Sequence, residues 1–181
     1  MYAHNDWSAI RAHYASNMSK IMACSSDEWA IDPYSWDMGQ GMIFMTPIEE
    51  NFWSDCRQEG LILYPQFPAC GYFIDFANPV AMVGIECDGR EFHVDKERDE
   101  RRQQCLEANG WRIYRITGRK CNESWEDSSS ELPAGISLAR HIGMTHGIKR
   151  LVERYKGTRH IGEFSDEWGA SLIERLSRGS A

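Results

Sequence analysis

Three acidic residues interrupt two neighbouring apolar segments of the chain, and they constrain its fold more than any other feature. Asp75 lies in the first segment, and Glu86 and Asp88 close the second one. Side chains two positions apart on a strand share one face, so Glu86 and Asp88 point the same way. A hairpin between the two segments can bring Asp75 beside Glu86. Carboxylates among apolar side chains are costly unless a positive charge lies between them, and a divalent metal ion, which prefers oxygen ligands, is the obvious candidate.

The pattern of apolar, capping and turn residues around these acids predicts an α/β fold. Its predicted elements, in chain order, are a helix at 7–23, a helix from Thr46 to about Gly60, strands at 61–66, 72–77 and 81–88, a helix at 96–108, a strand at 111–117, and helices at 135–156 and 164–178. Three consecutive strands form an antiparallel meander, and the helix after them returns the fourth strand parallel to the third. We expect a single domain over 1–181, with a core at about 46–118 and helical additions at 1–45 and 119–181.

The net charge of −7 and the pI near 5.4 disfavour, by themselves, a nucleic-acid partner. The bases are unevenly distributed, however, because the stretch from Ser137 to His160 holds six bases and one acid. Such a basic stretch can face a phosphate backbone while other surfaces stay acidic. The charge distribution therefore keeps nucleic acid among the expected partners.

The six cysteines are scattered, without a CxxC pair and without a zinc-like spacing against the histidines. This pattern favours reduced thiols inside a cell over a disulfide framework or a zinc site. No apolar run approaches the roughly 18 residues of a membrane span, and the N-terminal sequence lacks the layout of a signal peptide. We therefore expect a cytoplasmic protein that has no membrane partner.

Several short segments between residues 46 and 118 occur in an order that is far more specific than any one of them alone. They are Thr46-Pro47-Ile48-Glu49, Gln66, Tyr72 to Ala77 around Asp75, Ile85 to Gly89, His93, Asp99 with Arg102, Leu106, Gly110 to Ile113, and Arg115 to Gly118. Together they resemble the small PD-(D/E)XK-type nucleases related to the very-short-patch-repair endonucleases. The resemblance implies a restriction-endonuclease-like core, made of a helix, the three-strand meander, a helix and a further strand. It also implies metal-dependent cleavage of a nucleic-acid backbone, usually DNA.

The resemblance further implies roles for individual residues. Asp75 and Glu86 would be metal ligands, and the backbone carbonyl of Cys87 would be a third one. Glu49 would be the helix carboxylate that assists the metal, as a further oxygen ligand, or its water. The implied metal is Mg²⁺ or Mn²⁺, which binds carboxylates and the substrate phosphate together.

The chain departs from this family at Asp88, since the superfamily usually has a lysine two positions after the second acid. A Glu-x-Asp variant occurs in the subgroup, so the departure need not abolish activity, but it leaves the cationic role open. The candidates for that role are His93, Lys96 and Arg102. Arg102 faces inward if Leu106, one turn later, is in the core. As alternatives, His93 would make a loop hydrogen bond, and Arg102 would make an ion pair within its own helix.

The leading hypothesis from the sequence is a Mg²⁺-dependent endonuclease that nicks DNA or cuts both strands. In it, Glu49 and Asp88 complete the acidic shell, and His93 or Arg102 serves the water or the developing charge. Further residues expected to contact the nucleic acid are Gln66, Lys96, Arg150 and Arg154. Cutting both strands would call for two copies of the site, which a homodimer would supply. The alternatives are an inactive nucleic-acid-binding module of the same fold and an accessory subunit of a DNA-processing complex.

Overall fold

The fold is known from a computed structural model, which describes residues 5–31, 43–89, 96–124 and 132–150. Residues 1–150 make up one compact unit, and residues 151–181 make up a second. The second unit lies outside the described residues, and with it the predicted helix at 164–178. That the whole chain is a single domain stays a prediction.

The described part of the chain is a four-stranded sheet with helices on both faces. The helices are α1 (Trp7–Ala23), α2 (Pro47–Gln58), α3 (Lys96–Ala108), α4 (Gly118–Cys121) and α5 (Ala134–His146), and the strands are β1 (Tyr64–Ala69), β2 (Tyr72–Asn78), β3 (Val83–Asp88) and β4 (Arg112–Thr117). The strand order is β1-β2-β3-β4. The first three strands are antiparallel, and β4 returns parallel to β3 after α3. The predicted α/β class, the meander and the helical crossover are therefore confirmed.

The two helices before the sheet begin at residues that cap them. The side chain of Asp6 accepts hydrogen bonds from the backbone N–H groups of Ser8 and Ala9, at 3.1 and 3.0 Å, where α1 begins. At the start of α2, Oε2 of Glu49 accepts from the Thr46 N–H at 2.8 Å. These contacts satisfy N–H groups that a helix leaves without an internal partner. The second one also fixes the direction of the Glu49 side chain.

Three predicted boundaries were wrong, and the backbone explains two of them. The strand predicted at 61–66 begins only at Tyr64. The strand predicted from Ala81 begins at Val83, because Met82 has a left-handed φ of 54°. The helix predicted at 135–156 ends at His146, because Gly147 has a φ of 62°. A glycine in this conformation is a common helix end.

The sheet separates two apolar cores. On one face, α2 and α5 pack on the sheet through residues such as Phe52, Trp53, Phe76, Ile85 and Ile142. On the other face, α1 and α3 contribute to a core that contains Ile10, Tyr14, Phe67, Ile74, Leu106 and Trp111. Both faces of the sheet are thus covered, which leaves the ends of its strands as the place for polar groups. Among the described residues, no helix has the length and apolar character needed to cross a membrane.

Candidate active site

The strands β2 and β3 part at the position of the predicted acids. Their pairing runs from Asn78 and Val83 to Phe76 and Ile85, and it stops one residue before Asp75 and Glu86. Beyond that point, Oδ2 of Asp75 accepts a hydrogen bond from the backbone N–H of Cys87 at 2.8 Å. A side-chain carboxylate thus takes a backbone donor that sheet pairing would otherwise use. The contact holds Asp75 against the strand that carries Glu86.

Asp75 is also contacted from the strand on its other side. Gln66 lies opposite Asp75, between the paired positions Pro65↔Phe76 and Phe67↔Ile74, and it has a left-handed φ of 48°. Its side chain is buried and hydrogen-bonds to the Asp75 carboxylate. Burial raises the pKa of Asp75, while the Cys87 N–H, Arg102 and Gln66 lower it. The structure therefore places Gln66 beside a carboxylate rather than on an exposed surface; its predicted contact with nucleic acid stays a prediction.

Glu86 is paired with the arginine that sequence reasoning proposed as a cation. Nη2 of Arg102 lies 2.6 Å from Oε1 of Glu86 and donates to the backbone carbonyl of Phe73 at 2.6 Å. Arg102 points inward because Leu106, one turn later, is buried in the core. Burial, and then the charge of Asp75, raise the pKa of Glu86 to about 8, although Arg102 lowers it. The Glu86 side chain is only 6% exposed, so the charges of Asp75 and Arg102 act on it with little screening by bulk water.

Glu49 approaches the same acids from the first turn of α2. Burial, followed by the charge of Asp75, raises the pKa of Glu49 to about 7. The Thr46 N–H opposes this rise by donating to Oε2. The charge of Asp75 thus acts on both Glu49 and Glu86, as the interpretation of the three acids as one site requires.

Asp88 lies at a more open edge of the site. Its Oδ1 is 3.0 Å from Nη1 of Arg115 on β4, and the two side chains are 29% and 40% exposed. Sequence reasoning did not list Arg115 as a site residue. A signal for it was present, because a parallel β4 places Arg115 opposite Glu86 in the register. The position where the superfamily usually has a lysine is therefore occupied by an acid that pairs with a base from the neighbouring strand.

The oxygen donors fit a divalent ion chemically, although they do not converge on one point. In the described part of the chain, no group of three His, Cys, Asp or Glu residues is arranged to hold a metal ion. Asp75 nevertheless raises the pKa of both neighbouring glutamates, and a dication beside it would relieve that repulsion. Carboxylate oxygens are also the ligands that Mg²⁺ prefers. The residues that fit a divalent ion are Asp75 and Glu86. Arg102 already contacts one oxygen of Glu86, Oε1.

For several predicted site residues, a place in this cluster stays a prediction. His93, Arg154 and the side chain of Lys96 lie outside the described residues. Arg150 is described, and its backbone N–H donates to the carbonyl of Gly60 at 3.0 Å. This backbone contact lies just after the end of α2. The predicted role of Arg150, like those of the other three groups, stays a prediction.

Comparison with known proteins supports a nuclease-like domain. Residues 49–136 match the family model REase_MTES_1575, which is restriction-endonuclease-like, and the predicted PD-(D/E)XK-type relation is thereby confirmed. The chain is also similar to the uncharacterized protein YcjD of Escherichia coli (strain K12), with 37% identity over 60 residues, or 32% of this chain and 51% of the relative. The chain thus spans about half the length of that curated relative. The closer relation to very-short-patch-repair endonucleases stays a prediction.

One solved structure is similar at lower sequence identity. It is the catalytic domain of the homing endonuclease I-Bth0305I, with 15% identity and a TM-score of 0.44. The similarity covers 56% of this chain and 98% of that domain.

Proposed function

We propose that this chain, whose residues 49–136 match a restriction-endonuclease-like family model, is a metal-dependent endonuclease acting on DNA. One observation carries the proposal: Asp75 and Glu86 meet where β2 and β3 part, and the charge of Asp75 raises the pKa of Glu86 and of Glu49. Burying three neighbouring acids whose ionisation is mutually unfavourable costs folding free energy, and such groups cluster at functional sites. A site that binds a divalent ion gives them a use.

In the proposed site, Asp75 and Glu86 hold Mg²⁺ or Mn²⁺. When bound, the ion supplies neutralisation of the phosphate charge and a water of lowered pKa. Without metal, burial first and the charge of Asp75 second raise the pKa of Glu49 to about 7; burial persists when metal is bound, and a carboxylate of raised pKa suits a group that takes up a proton. The Thr46 N–H holds one of its oxygens, so the orientation of the carboxyl group is fixed before any substrate binds. Glu49 is therefore the proposed general base.

Arg102 takes the cationic place that a lysine usually fills. Its guanidinium contacts Glu86 and is fixed by the carbonyl of Phe73, both at 2.6 Å. An arginine stays charged at every relevant pH and can offer further N–H groups while it holds a carboxylate. In this role it lowers the pKa of Glu86 against the burial that raises it, and it leaves a positive charge beside the carboxylates.

Plasmid cleavage in the presence of Mg²⁺ or Mn²⁺ tests the proposal. We expect wild-type protein to produce nicked or linear plasmid, and we expect Asp75→Asn and Glu86→Gln to abolish both products. Glu107→Gln is the matched control, because Glu107 is an exposed carboxylate on α3 outside the site. Cutting that survives both site substitutions would contradict the assignment. Linear product formed without a nicked intermediate would favour two cooperating sites, as in a homodimer.

A second function, an inactive nucleic-acid-binding module, is favoured by one specific contact. Arg102 satisfies Glu86 internally at 2.6 Å, so this carboxylate has a counter-charge without any metal. Under this alternative the protein binds DNA but takes up no Mn²⁺. Calorimetric titration with Mn²⁺ separates the two functions, with Asp75→Asn as the control for specific binding. Heat of binding that disappears in Asp75→Asn supports the nuclease.

A further inference from the structure

A cleft of about 940 Å³ opens beside the candidate active site. This volume is at the upper end of the range for ligand-binding pockets, about 300–1,000 Å³. The residues that line it include Ile48, Gly89, Thr117, Gly118, Arg119 and Lys120. None of them belongs to the carboxylate cluster itself.

The cleft adjoins the carboxylates directly. Two of its lining residues, Ile48 and Gly89, are the chain neighbours of Glu49 and Asp88. Gly118 is packed between the same two segments: a Cβ atom there would lie 3.3 Å from Cγ2 of Ile48 and 3.5 Å from the backbone oxygen of Asp88. A molecule that occupies the cleft therefore lies beside the two segments that carry Glu49 and Asp88.

The charge of the cleft is opposite to that of the carboxylate cluster. Arg119 and Lys120 are consecutive, exposed bases on its wall, in a chain whose net charge is −7. The described lining also holds one acid, Glu123, whose Oε2 accepts from the backbone N–H of Ala134 at 2.6 Å, so bases outnumber acids there by two to one. The site thus places bases next to acids, which is what an anionic polymer needs if it is to lie close to carboxylates.

We propose that this cleft binds the phosphate backbone of DNA beside the point of cleavage, with Arg119 and Lys120 each contacting a phosphate. The inference rests on the proposed function. It gives the path of the substrate strand next to the carboxylates, along the wall that carries Arg119 and Lys120. Arginine and lysine contacts to phosphates fix the position of a strand without reading its sequence. The cleft therefore contributes affinity and register, and it is indifferent to base identity.

Binding to a short DNA duplex, measured by fluorescence anisotropy without divalent metal, tests this inference. All proteins carry Asp75→Asn, so that no cleavage disturbs the titration. The test variant is Arg119→Gln with Lys120→Gln, and the control is Lys20→Gln with Arg112→Gln, which removes the same charge from exposed bases outside the cleft. We expect the test variant to lose about tenfold in affinity, as two exposed ionic contacts would give.

The salt dependence supplies a second readout. The slope of log affinity against log salt should fall by about two in the test variant, because each lost phosphate contact lowers it by about one. The control should keep affinity and slope, and exchanging the two bases as Arg119→Lys with Lys120→Arg should restore binding. Equal losses in test and control variants, or a loss in neither, would overturn the inference.

The two proposals fail separately. If the wild-type protein binds DNA through Arg119 and Lys120 but never cuts plasmid, DNA binding by the cleft is supported and the endonuclease assignment is refuted. If the protein cuts plasmid in a manner that needs Asp75, while its DNA affinity is unchanged by substitution of Arg119 and Lys120, the endonuclease assignment is supported and DNA binding by the cleft is refuted.

Discussion

Replacing Arg102 by methionine should destabilise the protein by an amount that depends strongly on pH. The substitution keeps an unbranched side chain of similar length but removes the hydrogen bonds to Glu86 and to the carbonyl of Phe73. Glu86 is only 6% exposed, and its pKa is about 8 even with Arg102 in place. Below that pH the carboxyl group holds a proton, so the variant is left without a buried charge. The cost there is the lost hydrogen bonding, about 1–3 kcal/mol.

Above pH 8 the cost should grow. Without Arg102 the pKa of Glu86 rises further, so the folded variant keeps a proton that the folded wild-type protein has released. The unfolded state of both proteins has no proton there, since the ordinary pKa of the group is 4.5. The free energy of unfolding of the variant therefore falls relative to wild type by about 1.4 kcal/mol per pH unit. The ceiling is the cost of a buried carboxylate without its partner, roughly 3–5 kcal/mol.

Urea unfolding at pH 6.5 and pH 9.5, in the presence of a chelator, measures both values. Arg115→Met is the comparison, because its pair with Asp88 is 40% and 29% exposed and because its charge lowers the pKa of Glu86 less than Arg102 does. Its cost should stay below about 1 kcal/mol at either pH. A double-mutant cycle of Arg102→Met with Glu86→Gln should show coupling that is larger at pH 9.5. An equal cost of Arg102→Met at the two pH values would refute the reasoning.

Three further predictions concern single side chains. In metal-free buffer, Glu86→Gln should flatten the loss of unfolding free energy with rising pH between 5 and 8, because wild-type Glu86 binds a proton more tightly folded than unfolded; urea unfolding across that range checks it. Hydrogen bonds from Arg140 lower the pKa of Glu59, so Glu59→Gln should cost about 1–2 kcal/mol at pH 7. The difference should vanish as the pH falls below 4.5 through the folded pKa, which acid titration of unfolding would show. Gly135→Ala should cost about 1–3 kcal/mol in thermal unfolding, because its Cβ would overlap Oδ2 of Asp55.

The sheet and its helices could be predicted because local signals agreed with the tertiary structure. The cap at Thr46, the strand alternation and the rule for parallel returns lead to the observed order of elements. The end of α5 was missed although its signal, Gly147, is in the sequence. A glycine within an apolar periodic pattern is compatible with a weakened helix as well as with a helix end. The φ of 62° that decides between them is a property of the folded backbone.

The candidate site shows the same division between local and tertiary information. Asp75 and Glu86 could be paired from the sequence, because strand periodicity and one hairpin suffice to bring them together. The buried position of Gln66 could not be predicted from the sequence. It depends on the left-handed φ of Gln66 within β1, and no turn residue at that position indicates such a conformation. Arg102 is intermediate: its inward direction follows from Leu106, but its contact with Glu86 depends on how α3 lies on the sheet.

The acid at position 88 becomes understandable once these contacts are considered together. A lysine there would share a strand face with Glu86 and could serve as its counter-charge. In this chain that counter-charge comes from α3, through Arg102, so a second base on β3 would be redundant. A base at position 88 would also face Arg115, which β4 brings within 3.0 Å of Asp88. Because like charges at that distance repel, an acid at 88 suits the arginine on β4, and the positive charges near Glu86 lie on α3 and β4 rather than on β3.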